Sequence, residues 1–259
     1  MMKQLIGLLV ISAFPLFTFA QSPVSARLSS GYDLGMAYSK SNYNPSITYY
    51  QLINIGERKR FSLGWTARLG AFYGDNINYY TAPARLTRGK TGFNALSGPV
   101  LVSNIDTVRY DYMSNTSLNV GIRAQVNLGR VELGVSADLL GFSFGKSRIG
   151  RYQSSDGQFR IKSSTGSDST TAYFRGANTF QKSRPSILNV RLLGDNDIGT
   201  LSTEVYARIR VSQRIGIKLG YQWLTTETTV SNRDIVADNN RFRNRANMAY
   251  VAVTIPVFY

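Results

Sequence analysis

The residues best suited to acid–base chemistry in this sequence are three carboxylates, Glu132, Asp138 and Glu204. Two adjacent carboxyl groups can act as general acid and general base, but the spacing of these three does not favour that role over ion pairs with Arg123 or Arg208. The chain has no histidine and no cysteine, so it lacks the commonest general base and any thiolate metal ligand. We find no nucleophile, phosphate-loop or metal-ligand motif. The sequence therefore predicts no catalytic site, no metal and no cofactor.

These carboxylates belong to a larger set of charged residues that alternate with apolar ones. Between Ile215 and Trp223, large apolar residues occupy the odd positions, whereas glycine, Lys218 and glutamine occupy the even ones. Successive side chains of a strand point to opposite faces, so one face is predicted to be apolar and the other polar. A narrow polar interior fits such a face better than the core of a soluble sandwich does. We predict a structural ion-pair network that closes this interior, formed by Arg27, Asp33, Arg68, Arg123, Glu132, Asp138, Glu204, Arg208, Arg210 and Lys218. The alternative for this set is a narrow or gated conduit.

Stretches of about ten alternating residues are typical of a transmembrane β-barrel, in which lipid-facing and lumen-facing side chains alternate. The connections between them alternate between short ones, at 57–60, 129–130 and 212–214, and long ones, at 39–46, 76–106, 147–198 and 231–243. The sequence predicts an all-β fold, a closed antiparallel transmembrane barrel of about eight strands with long extracellular loops. The predicted strands lie in residues 27–38, 47–55, 61–70, 118–128, 131–139, 201–211, 215–225 and 251–259, and the facing of the second is ambiguous.

Segment 186–194 is also strand-like but does not fit this count. A single ninth strand would place the two chain ends on opposite sides of the membrane. We therefore expect an extracellular hairpin with the segment from 199 onward, turning at 195–197. A plug inside the lumen and a ten-stranded barrel are the alternatives.

The N-terminus predicts export. Lys3 precedes an apolar run from Leu5 to Phe19, and the small residues around Ala20 fit a cleavage site before Gln21. The run is shorter than the ~20 residues that a spanning helix needs. We expect a signal peptide at 1–20 and one outer-membrane barrel domain at 21–259.

The formal net charge is +15, which in a cytosolic protein would indicate nucleic acid. Export argues against a nucleic-acid partner and favours an anionic membrane surface such as phosphorylated lipid A. Segment 146–185 is the most basic connection, and we expect it to form either a solvated mobile loop or a contact with lipid A phosphates or another polyanion. Its basic residues are Lys146, Arg148, Arg151, Arg160, Lys162, Arg175, Lys182 and Arg184, opposed by Asp156 and Asp168.

The last residues carry the most specific local pattern, with apolar side chains at alternate positions and an aromatic end: Val251, Val253, Ile255, Val257 and Tyr259. This resembles the C-terminal strand that the barrel-assembly machinery recognises in outer-membrane barrels. With the strand pattern and the signal peptide, the whole mature chain resembles the OmpA/OmpX-like small barrel superfamily. The resemblance implies a monomer in the Gram-negative outer membrane, with outer-membrane lipid, including lipid A, as a partner. A secreted β-sandwich with a hydrophobic last strand is the soluble alternative.

Small barrels with enzymatic activity include lipid A palmitoyltransferases, lipid A deacylases and omptin proteases, which as families rely on a catalytic histidine. Their mechanism cannot be transferred to a chain without histidine. We therefore expect no enzyme, but a barrel with a structural or interaction role at the cell surface, in envelope integrity, adhesion or contact with lipid A through basic loops. The alternative is a narrow pore or conduit for small molecules.

Overall fold

The computed structural model describes residues 27–56, 59–162, 169–212 and 214–258, and it shows an all-β protein of antiparallel strands. These ranges contain thirteen strands and one short α-helix, Ala84–Thr87 (α1). Short 3-10 turns at Gly92–Leu96, Val102–Asn104 and Gly176–Thr179 lie in the connections. No helix in these ranges is long and apolar enough to cross a membrane. The strands are β1 (Leu28–Tyr38), β2 (Asn42–Ile55), β3 (Phe61–Thr81), β4 (Thr107–Leu128), β5 (Val131–Phe144), β6 (Arg148–Ser154), β7 (Gln158–Lys162), β8 (Ser169–Tyr173), β9 (Phe180–Pro185), β10 (Leu188–Val190), β11 (Leu201–Arg210), β12 (Gly216–Asp234) and β13 (Asn239–Phe258).

Eight strands form a ring in which each is hydrogen-bonded to two neighbours, and we call it the lower ring. Its order is β1–β2–β3–β4–β5–β11–β12–β13, and β13 pairs with β1 to complete the circuit. The closing pair runs from Ser30 opposite Phe258 to Tyr38 opposite Ala249. Such a ring leaves no strand edge with unpaired backbone groups, which is the main liability of an open sheet. The short connections after β2, β4 and β11 all lie at one end, which we call the turn end.

Side chains of the lower ring alternate between an exposed outer face and a buried inner face. On β12, Leu219 is 53% exposed, whereas Lys218 is fully buried. This alternation follows the sequence prediction, and it resolves the facing of β2, whose Ile47 and Ile53 point outward. The outer face is therefore mainly apolar, and the inner face carries the charged side chains.

Beyond the lower ring, four of its strands continue into a narrower upper ring. β3 and β13 pair directly where the β1–β2 hairpin ends, with Thr81 opposite Phe242. On the other side, β6 pairs with β4 and with β9, and β9 pairs with β12. The upper ring therefore runs β3–β4–β6–β9–β12–β13 and is closed by six pairings.

The upper ring encloses an apolar core of aromatic side chains. Tyr152 stacks on Phe174 with ring centroids 4.4 Å apart, and it contacts Phe242 edge-on at 5.5 Å. Tyr79 and Tyr110 form a second edge-on pair at 5.1 Å. All five side chains are buried. Offset and edge-on contacts are the favourable arrangements of aromatic rings, so this core fills the upper ring with dense packing.

The β7–β8 hairpin covers the end of the upper ring. Phe159 on β7 stacks on Phe174 at 4.8 Å, and the backbone N–H of Gln158 donates to Asp234 at 3.0 Å. Ser155, just before the hairpin, donates to Asp106 at 2.9 Å, and burial raises the pKa of Asp106 above its ordinary value. The hairpin is thus attached to the core and to two strand ends.

The structure differs from the sequence prediction in the long connections and in the number of strands, which is thirteen in the described ranges and not about eight. The predicted loops at 39–46 and 231–243 are tight turns because β2 and β13 begin earlier than predicted. Segment 76–106 loses its first six residues to β3, which ends at Thr81, and β4 begins directly after it at Thr107. Segment 147–198 contains β6 to β10. Beyond the lower ring the outer face is mainly polar, so the regular apolar alternation disappears although backbone pairing continues.

Segment 186–194 takes part in the wall. β10 pairs with β5 at Leu140–Phe142, just beyond the point where β11 begins its pairing with β5. The chain then leaves the wall and returns at a bridge between Val190 and Ile198. The predicted hairpin is reduced to that bridge, and the segment is neither a lumenal plug nor a further member of the lower ring. The predicted signal peptide, 1–20, lies outside the described residues.

We predict that Phe242→Ala lowers the free energy of unfolding by about 3–5 kcal/mol, because it opens a cavity in the upper core. Phe180→Ala is the matched control, since Phe180 is 60% exposed on β9, and it should change the free energy by about 0.5 kcal/mol. Denaturant unfolding in detergent measures both. Equal effects would mean that the upper core is not packed as described.

Candidate functional site

The interior of the lower ring brings together eight of the ten residues predicted to form an ion-pair network. None of the eight is more than 4% exposed. They come from six strands, and the other two strands, β2 and β13, contribute Tyr50, Tyr250 and Thr254 to the same interior. We call this set the interior network, namely Asp33, Arg68, Arg123, Glu132, Asp138, Glu204, Arg208 and Lys218.

Two cations and two carboxylates form the centre of the interior network. Oδ2 of Asp33 accepts hydrogen bonds from Arg123 at 2.6 Å and from Lys218 at 3.0 Å. Lys218 also donates to Glu204, which lies 3.6 Å from Arg123. Thr254 on β13 donates to the other oxygen of Asp33 at 2.6 Å. Because β1, β4, β11, β12 and β13 all contribute, these contacts tie opposite walls of the ring together.

A second group of contacts extends the network toward the upper ring. Arg68 lies 3.0 Å from Glu204 and 3.4 Å from Asp138. Asp138 also accepts hydrogen bonds from the Asn119 side chain at 3.1 Å and from the Ser202 backbone at 2.9 Å. One oxygen of Asp138 therefore accepts two hydrogen bonds and the other faces the Arg68 guanidinium, so the buried charge is compensated by protein groups.

At the turn end, Glu132 forms ion pairs with both Arg208 and Arg210. Arg208 is buried, whereas the Arg210 side chain is 44% exposed and lies at the rim. A cavity of about 620 Å³ opens at this end, and Glu132 and Arg208 lie in its lining. Arg27 differs from the prediction, because it precedes β1 and its side chain is exposed, so it lies outside the interior network.

Tyrosine rings complete the interior. The Arg123 guanidinium lies 4.6 Å from the ring centroid of Tyr50 and 5.2 Å from that of Tyr206. Its Nε and Nη1 have no hydrogen-bond partner among the described residues, so the ring faces take the place of acceptors. Lys218 lies 4.0 Å from Tyr206 and 5.0 Å from Tyr250.

Tyr50 and Tyr250 are interior residues that the strand pattern did not predict. The facing of Tyr50 was ambiguous, but Tyr250 alternates with the outward Val251 and could have been assigned. Each inward tyrosine also lies over a glycine of the neighbouring strand: a Cβ on Gly134, for example, would lie 2.4 Å from the Tyr206 ring. Pairs of glycine and tyrosine across adjacent strands are the signal that the sequence offers for this packing.

The charges of the interior network balance. Four cations face four carboxylates, and each carboxylate contacts at least one cation within 4 Å. Removing one partner of a buried ion pair leaves an uncompensated charge, so the whole set is mutually dependent. Asp33, Asp138 and Glu204 are buried and paired away from the cavity at the turn end, whereas Glu132 lies in the lining of that cavity and pairs with Arg208 and Arg210. The arrangement is suited to fill the interior and to hold its walls together.

The predicted basic connection is not one loop. Arg151, Lys182 and Arg184 are exposed on the outer face of the upper ring, and the half-buried Arg148 lies 4.8 Å from the ring of Tyr112. Strand pairing of β6 and β9, which the polar sequence did not reveal, fixes these positions. Of the remaining members, Lys146 precedes β6, Arg160 and Lys162 lie on β7, and Arg175 forms an exposed ion pair with Asp156.

The C-terminal pattern lies on β13, the strand that closes the lower ring. Val251, Val253 and Ile255 are 40–45% exposed on the outer face. Val257 is half-buried, and Tyr259 lies outside the described residues.

No protein-family model matches this chain, and no curated protein sequence matches it. Among solved structures, it is similar to the Yersinia pestis outer membrane protein Ail in a phospholipid bilayer nanodisc, with 7% identity, 88% of this chain and 97% of that chain covered, and a TM-score of 0.31. It is also similar to a Pseudomonas aeruginosa FadL homologue, with 10% identity, 90% of this chain and 76% of that chain covered, and a TM-score of 0.23. At these TM-scores neither likeness adds to what the strand pairings show.

We predict that Arg123→Ala lowers the free energy of unfolding by about 3–5 kcal/mol. The change removes a cation that contacts both Asp33 and Glu204, so one buried negative charge is left uncompensated. Arg210→Ala is the control at the exposed rim, where the loss should be about 0–1 kcal/mol. Denaturant unfolding of both variants in the same detergent compares them. Similar losses of unfolding free energy in Arg123→Ala and Arg210→Ala would argue against the central position of Arg123.

Proposed function

We propose that this protein is a non-conducting β-barrel of the outer membrane, with a structural or interaction role at the cell surface. The balanced interior network carries this proposal. A pore needs a continuous hydrated path, whereas here the lower ring is filled by paired charges and the upper ring by aromatic side chains. A channel for anions would favour unpaired basic residues along the lumen, and the four cations of the network are matched by four carboxylates.

The outer face of the lower ring supports the membrane location. Its outward side chains are large and apolar on strand after strand, with exposures of 40–60% for residues such as Leu63, Val120 and Leu219. A continuous apolar surface of this kind is rare on soluble proteins and typical of lipid-facing barrels. Exposed aromatic residues, among them Trp65 and Trp223, fit the girdles that such barrels place at the bilayer surfaces. A closed ring has no free edge for a second copy, which supports a monomer.

The length of the strands supports a role outside the bilayer. β3 and β4 have 21 and 22 residues, whereas a strand that crosses a membrane needs about 9–11. The upper ring is therefore proposed to project from the cell surface. Arg151, Lys182 and Arg184 on its outer face would contact anionic lipid or another polyanion.

We predict that the purified protein produces no stable unitary conductance in planar lipid bilayers, under conditions in which a porin does. Folded Arg123→Ala protein should also remain closed, because the aromatic core of the upper ring is unchanged. Discrete current steps from the unmodified protein would contradict the proposal and favour the pore.

We predict that Val253→Arg strongly reduces the amount of barrel assembled in outer membranes, because a lipid-facing charge near the midplane costs about 2–4 kcal/mol. Thr254→Ser is the matched control on the inner face, since serine keeps the hydroxyl that donates to Asp33. The measurement is the band of folded protein that shifts on boiling, in isolated outer membranes. Normal assembly of Val253→Arg, together with failure of Thr254→Ser, would show that β13 faces the opposite way.

A further inference from the structure

The outer face of β13 changes from apolar to basic along its length. Trp223 on β12 lies opposite Asn247 and is 43% exposed, and exposed tryptophan is typical of the headgroup level of a bilayer. At about 3.4 Å per residue, Arg245 lies about 14 Å along the strand beyond Ala249. In the proposed barrel, the arginines therefore lie at or just beyond the headgroup layer. Counted from the turn end, the outward positions are Ile255, Val253, Val251, Ala249, Asn247, Arg245, Arg243 and Arg241.

These arginines converge on a turn that crosses the outer surface. Asp195, in the connection between β10 and β11, lies 3.0 Å from Arg243 and 3.5 Å from Arg88, and it also contacts Arg245. Arg88 directly follows α1 in the long connection between β3 and β4. Three arginines from two distant segments thus share a single carboxylate.

The connection between β10 and β11, which carries Asp195, is held against the connection between β3 and β4, which carries Arg88, by a close backbone approach. A Cβ on Gly194 would lie 1.8 Å from the carbonyl oxygen of Gly92, and both glycines have positive φ angles, 71° and 60°. Only glycine tolerates this combination of conformation and proximity. The position of Arg88 beside Asp195 is therefore built into the fold.

This outer cluster, unlike the interior network, is not balanced in charge. In the described part of the chain its five arginines contact three carboxylates, which leaves two positive charges in excess. Arg243 is 5% exposed, and its Nε has no hydrogen-bond partner among the described residues. Arg243 itself pairs with Asp195 and Glu227, but the cluster as a whole holds more guanidinium groups than carboxylates, so a bound anion would stabilise it. The members are Arg88, Arg191, Arg241, Arg243 and Arg245 with Asp195, Asp197 and Glu227.

A cavity of about 220 Å³ lies among Arg88, Arg243 and Arg245. The adjoining segment 84–104 contains no acidic residue, and it exposes apolar side chains, with Phe93 at 69% and Val102 at 77%. Basic residues next to exposed apolar side chains are typical of segments that lie in a membrane interface. The cavity thus opens beside a surface that is suited to acyl chains and headgroups.

We propose that this cavity binds the phosphate of an anionic lipid headgroup in the outer leaflet, with Arg88, Arg243 and Arg245 as the donors. The inference rests on the proposed membrane location and names one site for the lipid contact. A phosphate supplies up to two negative charges, which match the excess of the cluster, and guanidinium groups bind its oxygens with paired hydrogen bonds.

The test is retention of lipid by the folded, full-length protein, measured by native mass spectrometry from detergent micelles. The probes are lipid A with both phosphates and lipid A from which the phosphates have been removed. We expect one phosphorylated molecule to be retained and the phosphate-free form to be lost. R88Q/R245Q should reduce retention about tenfold or more, because it removes charge-assisted hydrogen bonds from two guanidinium groups to the phosphate. Arg243 is left in place because it also pairs with the buried Glu227.

R130Q/R214Q is the matched control, because it removes the same charge from exposed positions at the turn end. Retention should be unchanged in this variant. Three results would each overturn the site. They are retention by R88Q/R245Q equal to that of the unmodified protein, a loss in the control equal to that in R88Q/R245Q, and binding of phosphate-free lipid A equal to that of the phosphorylated form. Displacement of the lipid by millimolar inorganic phosphate would reassign the cavity to free phosphate and would overturn the lipid assignment. Protein that assembles in outer membranes but retains no lipid A would contradict this inference alone, whereas failure to assemble would contradict the proposed function.

Discussion

The structure depends on the enclosure of four cations and four carboxylates inside a closed ring of strands. A closed ring satisfies its own backbone hydrogen bonds, but it leaves an interior that side chains must fill. Charged side chains can fill it only when each is paired, because an isolated charge in a dry interior costs several kcal/mol. Asp33, Arg123, Glu204 and Lys218 meet this condition by contacting one another across the ring. Strand register and charge pairing therefore constrain each other.

The two rings fill their interiors by opposite means. The lower ring, whose outer face is mainly apolar, holds its polar side chains inside, whereas the upper ring, whose outer face is mainly polar, holds an aromatic core. This reversal follows the surroundings that we propose for each part, lipid below and water above. The transition lies where the β1–β2 hairpin ends and β3 pairs directly with β13. The unbalanced arginine cluster on the outer surface lies at the same level, where a membrane would present phosphate groups.

Much of the lower ring could be predicted from alternation alone, and the interior position of eight charged residues followed from it. The upper ring could not, because its outer face is mainly polar: residues 147–198 resemble a polar loop, although β6 and β9 are firmly paired. Contacts between distant segments, such as Asp195 with Arg243, are also invisible to periodicity. The alternating arginines at 241, 243 and 245 were the one local signal of the outer cluster. Arg27 was predicted to lie in the interior, but it precedes β1 and is exposed, because alternation alone does not reveal where a strand begins.

The most direct test of the balanced interior is a double-mutant cycle on Lys218→Met and Glu204→Gln, with the free energy of unfolding measured for both single variants and the double variant. Each single change leaves the network with one unpaired charge, whereas the double change restores three cations against three carboxylates. We expect the double variant to be more stable than the sum of the single effects by about 1–3 kcal/mol. Additive losses would contradict the claim that charge balance inside the ring holds this fold together.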